Sequence, residues 1–246
     1  MRWRSFAQQA SELSVPLTQE QIDRFRRYTD LLLNANRRIN LTALRDEASL
    51  MTKFYLDALG LLPVIARYAG LSPDQLRIQP WCAADVGSGG GAPAIPLAIA
   101  WPDLRYTLIE SIAKKARFLD ETAASLGLNM TVVIDRAENA SRSSKHRERY
   151  DLVTARAVAA LATLVELTLP LARVGGLIVL PKGAKAQKEA DNAARAIEVL
   201  GGTLVGIEQL SIPDVDATRM AVIIRKTAPT PDRYPRRPGL PNKKPL

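Results

Sequence analysis

The sequence predicts a doubly wound α/β domain, a mostly parallel sheet with helices on both faces. Three observations predict it. From residue 76 onward, short apolar runs alternate with segments of helical periodicity. One of those runs ends in Asp85-Val86-Gly87-Ser88-Gly89-Gly90-Gly91-Ala92 and feeds a second apolar stretch. That is the strand, glycine turn and helix by which such sheets receive a nucleotide-like ligand. Hydrophobic residues make up 47% of the 246-residue chain, enough for a sizeable core.

Taken in order, the elements are these. Thr18-Gln19-Glu20-Gln21 is a capping box that opens a helix. Ile22, Phe25, Leu32 and Ile39 continue it at roughly helical spacing, with Arg24, Arg26, Arg27, Arg37 and Arg38 on its other, solvated faces. Asn40-Leu41-Thr42 breaks the pattern, and Asp46 caps a second amphipathic helix bearing Leu50, Phe54, Tyr55, Leu59 and Leu62. Residues 1–70 are therefore expected to be a small helical region, and 71–228 the α/β domain. Strands are expected over 82–86, 106–110, 131–135, 151–154 and 177–180, with helices over 93–100, 113–126, 161–172 and 184–200. Two more strands, 203–210 and 220–225, are separated by Pro213-Asp214 in a connection too short for a crossover helix. They are expected to form an antiparallel hairpin. Residues 229–246 form a basic tail with prolines at 229, 231, 235, 238, 241 and 245. It has no core of its own and favours extended conformations, either as a disordered end or as an arm laid over the fold or onto RNA.

The formal net charge is +9, with a pI near 9.9. This favours an anionic partner, most commonly nucleic acid. Much of the excess lies from Arg225 onward, where Arg225, Lys226, Arg233, Arg236, Arg237, Lys243 and Lys244 face only Asp232. Another basic run, Arg142, Lys145, Arg147 and Arg149, surrounds His146 and is read first as a solvated loop face, second as an RNA contact. Cys82 is the single cysteine and His146 the single histidine. An internal disulfide is excluded, a His/Cys zinc site is implausible, and no metal is expected. A Ser-His or Cys-His triad would need His146, whose setting argues against it. No apolar run reaches membrane-spanning length, so no membrane association is expected. The start lacks a secretory apolar core, and a cytoplasmic location is expected.

The acids at three successive strand ends narrow the ligand. Asp85, just before Gly87 and Gly89, is suited to the methionyl amine of S-adenosylmethionine, directly or through water. Glu110, roughly 20 residues past the glycine loop, is placed to accept both ribose hydroxyls, which by itself suits a nicotinamide dinucleotide equally well. Asp135-Arg136-Ala137-Glu138 follows the third strand, where backbone groups and a carboxylate can address an adenine edge. After the fourth strand stands Arg156, a cation that cannot accept a proton near neutral pH, where amino methyltransferases carry Asn-Pro-Pro and an aromatic residue.

Seven strands ending in a hairpin are the arrangement of class I S-adenosylmethionine methyltransferases. Within that class the chain resembles the bacterial 16S rRNA guanine-N7 methyltransferases, the glucose-inhibited division protein B family. The resemblance rests on Asn40-Leu41-Thr42-Ala43, Asp85-Val86-Gly87-Ser88-Gly89 with Ile95-Pro96-Leu97, and Ile109-Glu110-Ser111 with Lys114-Lys115. It continues in Arg136-Ala137-Glu138, Asp151 to Ala159, Lys182-Gly183 and Arg233 to Gly239. It implies S-adenosylmethionine as cofactor and a guanine of the 16S decoding-region loop as substrate, in free RNA or the small ribosomal subunit. The family's cofactor contacts fall on Gly87, Ala92, Ala137, Glu138 and Arg156. On the RNA side the candidates are Asn40, Arg156, Lys182, Arg236 and Arg237. No general base is expected, because guanine N7 carries an in-plane lone pair and no proton. A monomer is expected. The chain departs from the family pattern at Ala92, usually large and apolar, at Ala94, usually glycine, and at Phe54, usually histidine. Two other readings stay open: a methyltransferase acting on another substrate, and a non-catalytic RNA-binding assembly factor.

Overall fold

The computed structural model describes residues 2–246. Seven strands form one sheet: β1 (Cys82–Val86), β2 (Arg105–Ile109), β3 (Met130–Val133), β4 (Tyr150–Ala155), β5 (Ala172–Lys182), β6 (Gly202–Leu210) and β7 (Arg219–Lys226). Their order is β3-β2-β1-β4-β5-β7-β6. Strands β1 to β5 pair in parallel, while β7 runs antiparallel to both β5 and β6. The expected hairpin is present, with its second strand inserted between β5 and the first. This is the doubly wound sheet the sequence predicts.

The helices are α1 (Arg2–Glu12), α2 (Gln19–Asn36), α3 (Glu47–Leu50), α4 (Asp57–Leu59), α5 (Leu61–Ala69), α6 (Pro73–Arg77), α7 (Ala94–Ala100), α8 (Ala113–Leu126), α9 (Ala137–Ala140), α10 (Leu161–Thr168), α11 (Ala186–Val199) and α12 (Leu240–Lys243). Successive strand side chains point to opposite faces. Ala83 and Leu108 join one core layer with Phe6, Phe25, Tyr28 and Tyr55. Ala84 and Ile109 join the other, with residues of α10 and α11. Residues 2–70 thus contribute to a continuous core with one face of the sheet. Gln21 donates from α2 to the Ile99 carbonyl at 2.8 Å. Glu47–Ala69 is long and apolar enough to cross a membrane by length and composition, but 72% of its most apolar window is buried inside the fold.

The structure adds to some expectations and corrects others. An additional helix, α1, precedes the capping box; its Phe6 packs edge-on against Phe25, 5.1 Å between centroids. The helix opened by Asp46 is interrupted by a π-helical turn over Met51–Leu56, where the Asp57 N–H reaches the Thr52 carbonyl. The helix expected over 161–172 stops at Thr168, and β5 already begins at Ala172. Of the dispositions left open for the tail, the structure shows the arm laid over the fold, and the basic run ahead of β4, expected first as a solvated face, holds it there. Arg147 donates to the Thr230 carbonyl at 2.6 Å and the Tyr234 carbonyl at 2.8 Å. Arg142 reaches the Arg233 carbonyl. His146 stacks on Tyr150, with Nδ1 2.6 Å from the phenol oxygen.

Candidate functional site

Parallel register brings the strand ends to a common edge. Val86 pairs with both Ile109 and Ala155, and Ile109 with Val133. The next residues, Gly87, Glu110, Ile134 and Arg156, therefore sit side by side. The chain winds one way from β1 to β3 and the other way from β4, so the glycine loop occupies the switch point, where open α/β sheets bind ligands.

Gly87 takes φ +69°, and a Cβ there would lie 2.7 Å from Val158 Cγ2. Only glycine lets the chain turn while Val158 packs across it. Gly91 is held similarly: at φ +102° its Cβ would overlap Ile95 Cδ1. Tyr28 of α2 donates its phenol to the Gly90 carbonyl at 2.5 Å, so the N-terminal region fixes the loop from beneath.

Asp85 is buried under this loop. Its Oδ1 accepts from the Thr154 hydroxyl at 2.7 Å, whereas Oδ2 has no partner among the described residues. Burial pushes its pKa up to about 6 against the lowering effect of the Thr154 and Ser88 hydrogen bonds. An orphaned buried carboxylate oxygen is an unmet acceptor, and a ligand ammonium or a water would satisfy it.

Glu110 is more committed than its sequence position suggests. Oε2 accepts from the Gly89 N–H at 2.9 Å and Oε1 from the Ile112 N–H at 2.8 Å. It staples the glycine loop to the turn after β2, and each oxygen keeps a second lone-pair site for ribose hydroxyls. Glu138, in the first turn of α9, accepts from the Gly239 N–H at 2.8 Å.

Gly87, Ala137 and Glu138 line one cleft. Its apolar walls come from Ile109, Val158, Leu167 and Pro241, and Ser111 and Asp135 add polar groups. An apolar slot flanked by carboxylates and backbone suits a purine nucleoside. With the orphaned Asp85 oxygen below the loop, the residues present fit an adenosyl ligand with a cationic amino-acid end. Ala92, at the end of the loop, is buried and does not line the cleft.

A second hollow lies on the other side of the 156–158 turn, lined by Asp57, Arg156, Lys182, Gly183 and Arg219 among others. The Arg156 guanidinium sits 4.7 Å over the Phe54 ring and donates to Asp57 Oδ2 and the Lys53 carbonyl, each at 3.3 Å. Arg219 donates to Asp57 Oδ1 at 2.9 Å. Burial lowers the Arg156 pKa and raises that of Asp57, while the two arginines oppose the rise at Asp57. Phe54 and Asp57 come from the π-helical turn and its exit, and neither role was foreseen from spacing. A π turn is a frequent mark of functional sites, but its signal in sequence is weak.

The RNA-side candidates are scattered. Lys182 donates to Glu189 Oε2 at 2.9 Å and to the Ala159 carbonyl, so its charge is already paired at the rim of the hollow. Arg236 is bound to the buried Glu166 through its backbone N–H, Nε and Nη2, at 2.6–3.1 Å. It anchors the tail instead of offering a free cation. Arg237 is exposed. Asn40 borders a separate hollow with Asn36, Arg37 and Arg45. Among the described residues no cluster of His, Cys, Asp and Glu is arranged to hold a metal ion.

Comparison with known proteins gives a consistent picture. The family model described as "GidB: rRNA small subunit methyltransferase G" matches residues 21–218. A protein of that name from Roseiflexus castenholzii is 45% identical over 238 residues, covering 96% of this chain and 97% of the relative. One from Pelotomaculum thermopropionicum is 43% identical, covering 96% and 95%. Among solved structures, a Klebsiella pneumoniae protein provisionally assigned as an O-methyltransferase matches with a TM-score of 0.53 and 18% identity, over 82% of this chain and 90% of that one. At that identity the likeness concerns the fold alone.

Proposed function

Because the chain belongs to the rRNA small subunit methyltransferase G (GidB) family, we propose that it is an S-adenosylmethionine-dependent methyltransferase acting on N7 of a guanine in 16S rRNA. The acceptor lies in the decoding-region loop, presented by free rRNA or by the small subunit. When bound, S-adenosylmethionine supplies a methyl group on a cationic sulfur, a leaving group that needs no protonation.

The chain's own residues then have three tasks. The cleft beside Ala137 and Glu138 holds the adenosyl end, with Glu110 facing the ribose. Asp85 receives the ammonium of the amino-acid end. The hollow around Arg156 orients the acceptor. Guanine N7 would accept the methyl group on its own in-plane lone pair, which the residues of the hollow would hold in line with the cofactor's methyl end. No proton has to be removed, so alignment and approach distance carry the acceleration.

The observation that carries this reading is that, among the described residues, the hollow offers no free base. Its one lining carboxylate, Asp57, has an oxygen on each of two arginines. An exocyclic amine or a hydroxyl acceptor would need a proton acceptor there. Arg156 forked onto both O6 and N7 would block the nucleophile, so it serves the cofactor, a phosphate or O6 alone.

The test is mass-spectrometric mapping of methylguanine in 16S rRNA from a strain with and without the gene, together with methylation of the unmodified RNA by purified protein. Loss of one 7-methylguanine in the deletion strain and its restoration in vitro are expected. An unchanged 7-methylguanine content would refute the proposal.

A further inference from the structure

We infer that the C-terminal segment 239–242 is part of the cofactor site: it closes the adenosyl end of the cleft, and its docking is coupled to cofactor binding. The inference rests on the reading of that cleft as an S-adenosylmethionine site. Three observations place the segment there. Gly239, Pro241 and Asn242 line the same cleft as Gly87 and Ala137. The Gly239 N–H donates to Oε1 of Glu138, which lines the same cleft, at 2.8 Å. Pro241 is buried, and its carbonyl accepts from the Thr163 hydroxyl of α10 at 3.1 Å.

The physical consequence follows from what would remain without the segment. Leu167 and Val158 would form a groove open on one side, and the Glu138 carboxylate would lose the donor that fixes its position. A purine bound there would keep one face in water and lose apolar burial. With the segment docked, Pro241 supplies the missing wall at little entropic cost, because its ring is already rigid. The segment is tied down outside the cleft by the Arg236–Glu166 pair and the Arg147 clamp, so the wall is held without the ligand itself. Binding and docking then assist each other, and linkage makes the assistance reciprocal.

The experiment uses the intact chain and S-adenosylhomocysteine as probe. Calorimetry first establishes its Kd. Limited trypsin digestion then follows cleavage after Arg233, Arg236 and Lys243 in the tail, with cleavage after the exposed Arg38 as the internal control. At a probe concentration one hundred times Kd, opening of a tail required for binding is suppressed by up to about a hundredfold. Protection of at least tenfold at the tail bonds, with none at Arg38, is expected. In parallel, Pro241→Ala should weaken binding several-fold, and deletion of 239–246 by tenfold or more, with the thermal midpoint checking that each variant is folded. Tail cleavage unchanged within twofold, together with full affinity in Pro241→Ala, overturns the inference while leaving the cofactor reading intact. Absence of S-adenosylhomocysteine binding by the intact chain overturns the cofactor reading, and this inference with it.

Discussion

Asp85 shows how one residue couples burial to ligand choice. Its folded pKa of about 6 lies above the roughly 3.9 of an unfolded aspartate. A raised carboxyl pKa means the ionised form is disfavoured by the fold, so this group's stability contribution is present at low pH and is lost as pH rises through about 6. A cationic ligand group opposite Oδ2 reverses that preference, since it binds only the ionised form well. The affinity for S-adenosylhomocysteine should therefore be flat above about pH 7 and fall toward tenfold per pH unit below about 6. Calorimetry over pH 5–8 checks this, and Asp85→Asn should weaken binding and flatten the profile. A flat profile in the unsubstituted protein would place the ammonium elsewhere. The glycine loop and its acid were legible in sequence because local chemistry, a tight turn and a carboxylate before it, has few other uses. The partners of that acid were not. Thr154 is 69 residues away along the chain, and only the register of β1 against β4 brings it to Asp85.

At the scale of elements, the tail departs furthest from its composition. Proline-rich basic segments have no core of their own, yet this one borrows a core by burying Tyr234 and Pro241 and by satisfying buried acids. Glu166 on α10 is fully buried, and Arg236 is its guanidinium partner. Arg236→Ala would leave that carboxylate without its counter-charge, which costs roughly 3 kcal/mol or more. For a chain of this size the thermal midpoint should then fall by about 6–12 °C. Differential scanning calorimetry reads this directly, and a fall under 2 °C would mean that the Arg147 clamp alone carries the tail. The π-helical turn is the other departure. The amphipathic spacing of Leu50 to Leu62 correctly predicts a helix, but periodicity does not report where one residue is accommodated in a wider turn. That turn delivers Phe54 under Arg156 and Asp57 between two arginines. The aromatic face of Phe54 seats the Arg156 guanidinium.

For the whole molecule, charge and shape act together. The net charge of +9 makes association with RNA salt-dependent, because each neutralised phosphate releases counterions. Arg237, Lys243 and Lys244 are exposed in the segment that also carries the cleft-lining Gly239, Pro241 and Asn242. Replacing all three with alanine should make the slope of log affinity against log salt shallower by about two to three. Filter binding of small-subunit rRNA across salt concentrations measures it, and an unchanged slope would remove the tail from the RNA interface. Other basic residues are internal struts: Arg147, Arg236 and Lys182 all end on protein acceptors. Sequence composition counts such charges but does not say which have already been used.

The sequence by itself determined the α/β alternation, the terminal hairpin, the glycine turn and the acids at successive strand ends. These are encoded within one element or one turn, where periodicity and backbone sterics act over a few residues. Tertiary structure alone decided that Asp85 keeps an unmet oxygen, that Arg156 is seated on Phe54, that Arg236 faces inward, and that the last residues wall the cleft. Each depends on groups far apart in the chain meeting in a buried place, and there the cost of leaving a polar or charged atom unpaired selects the partner.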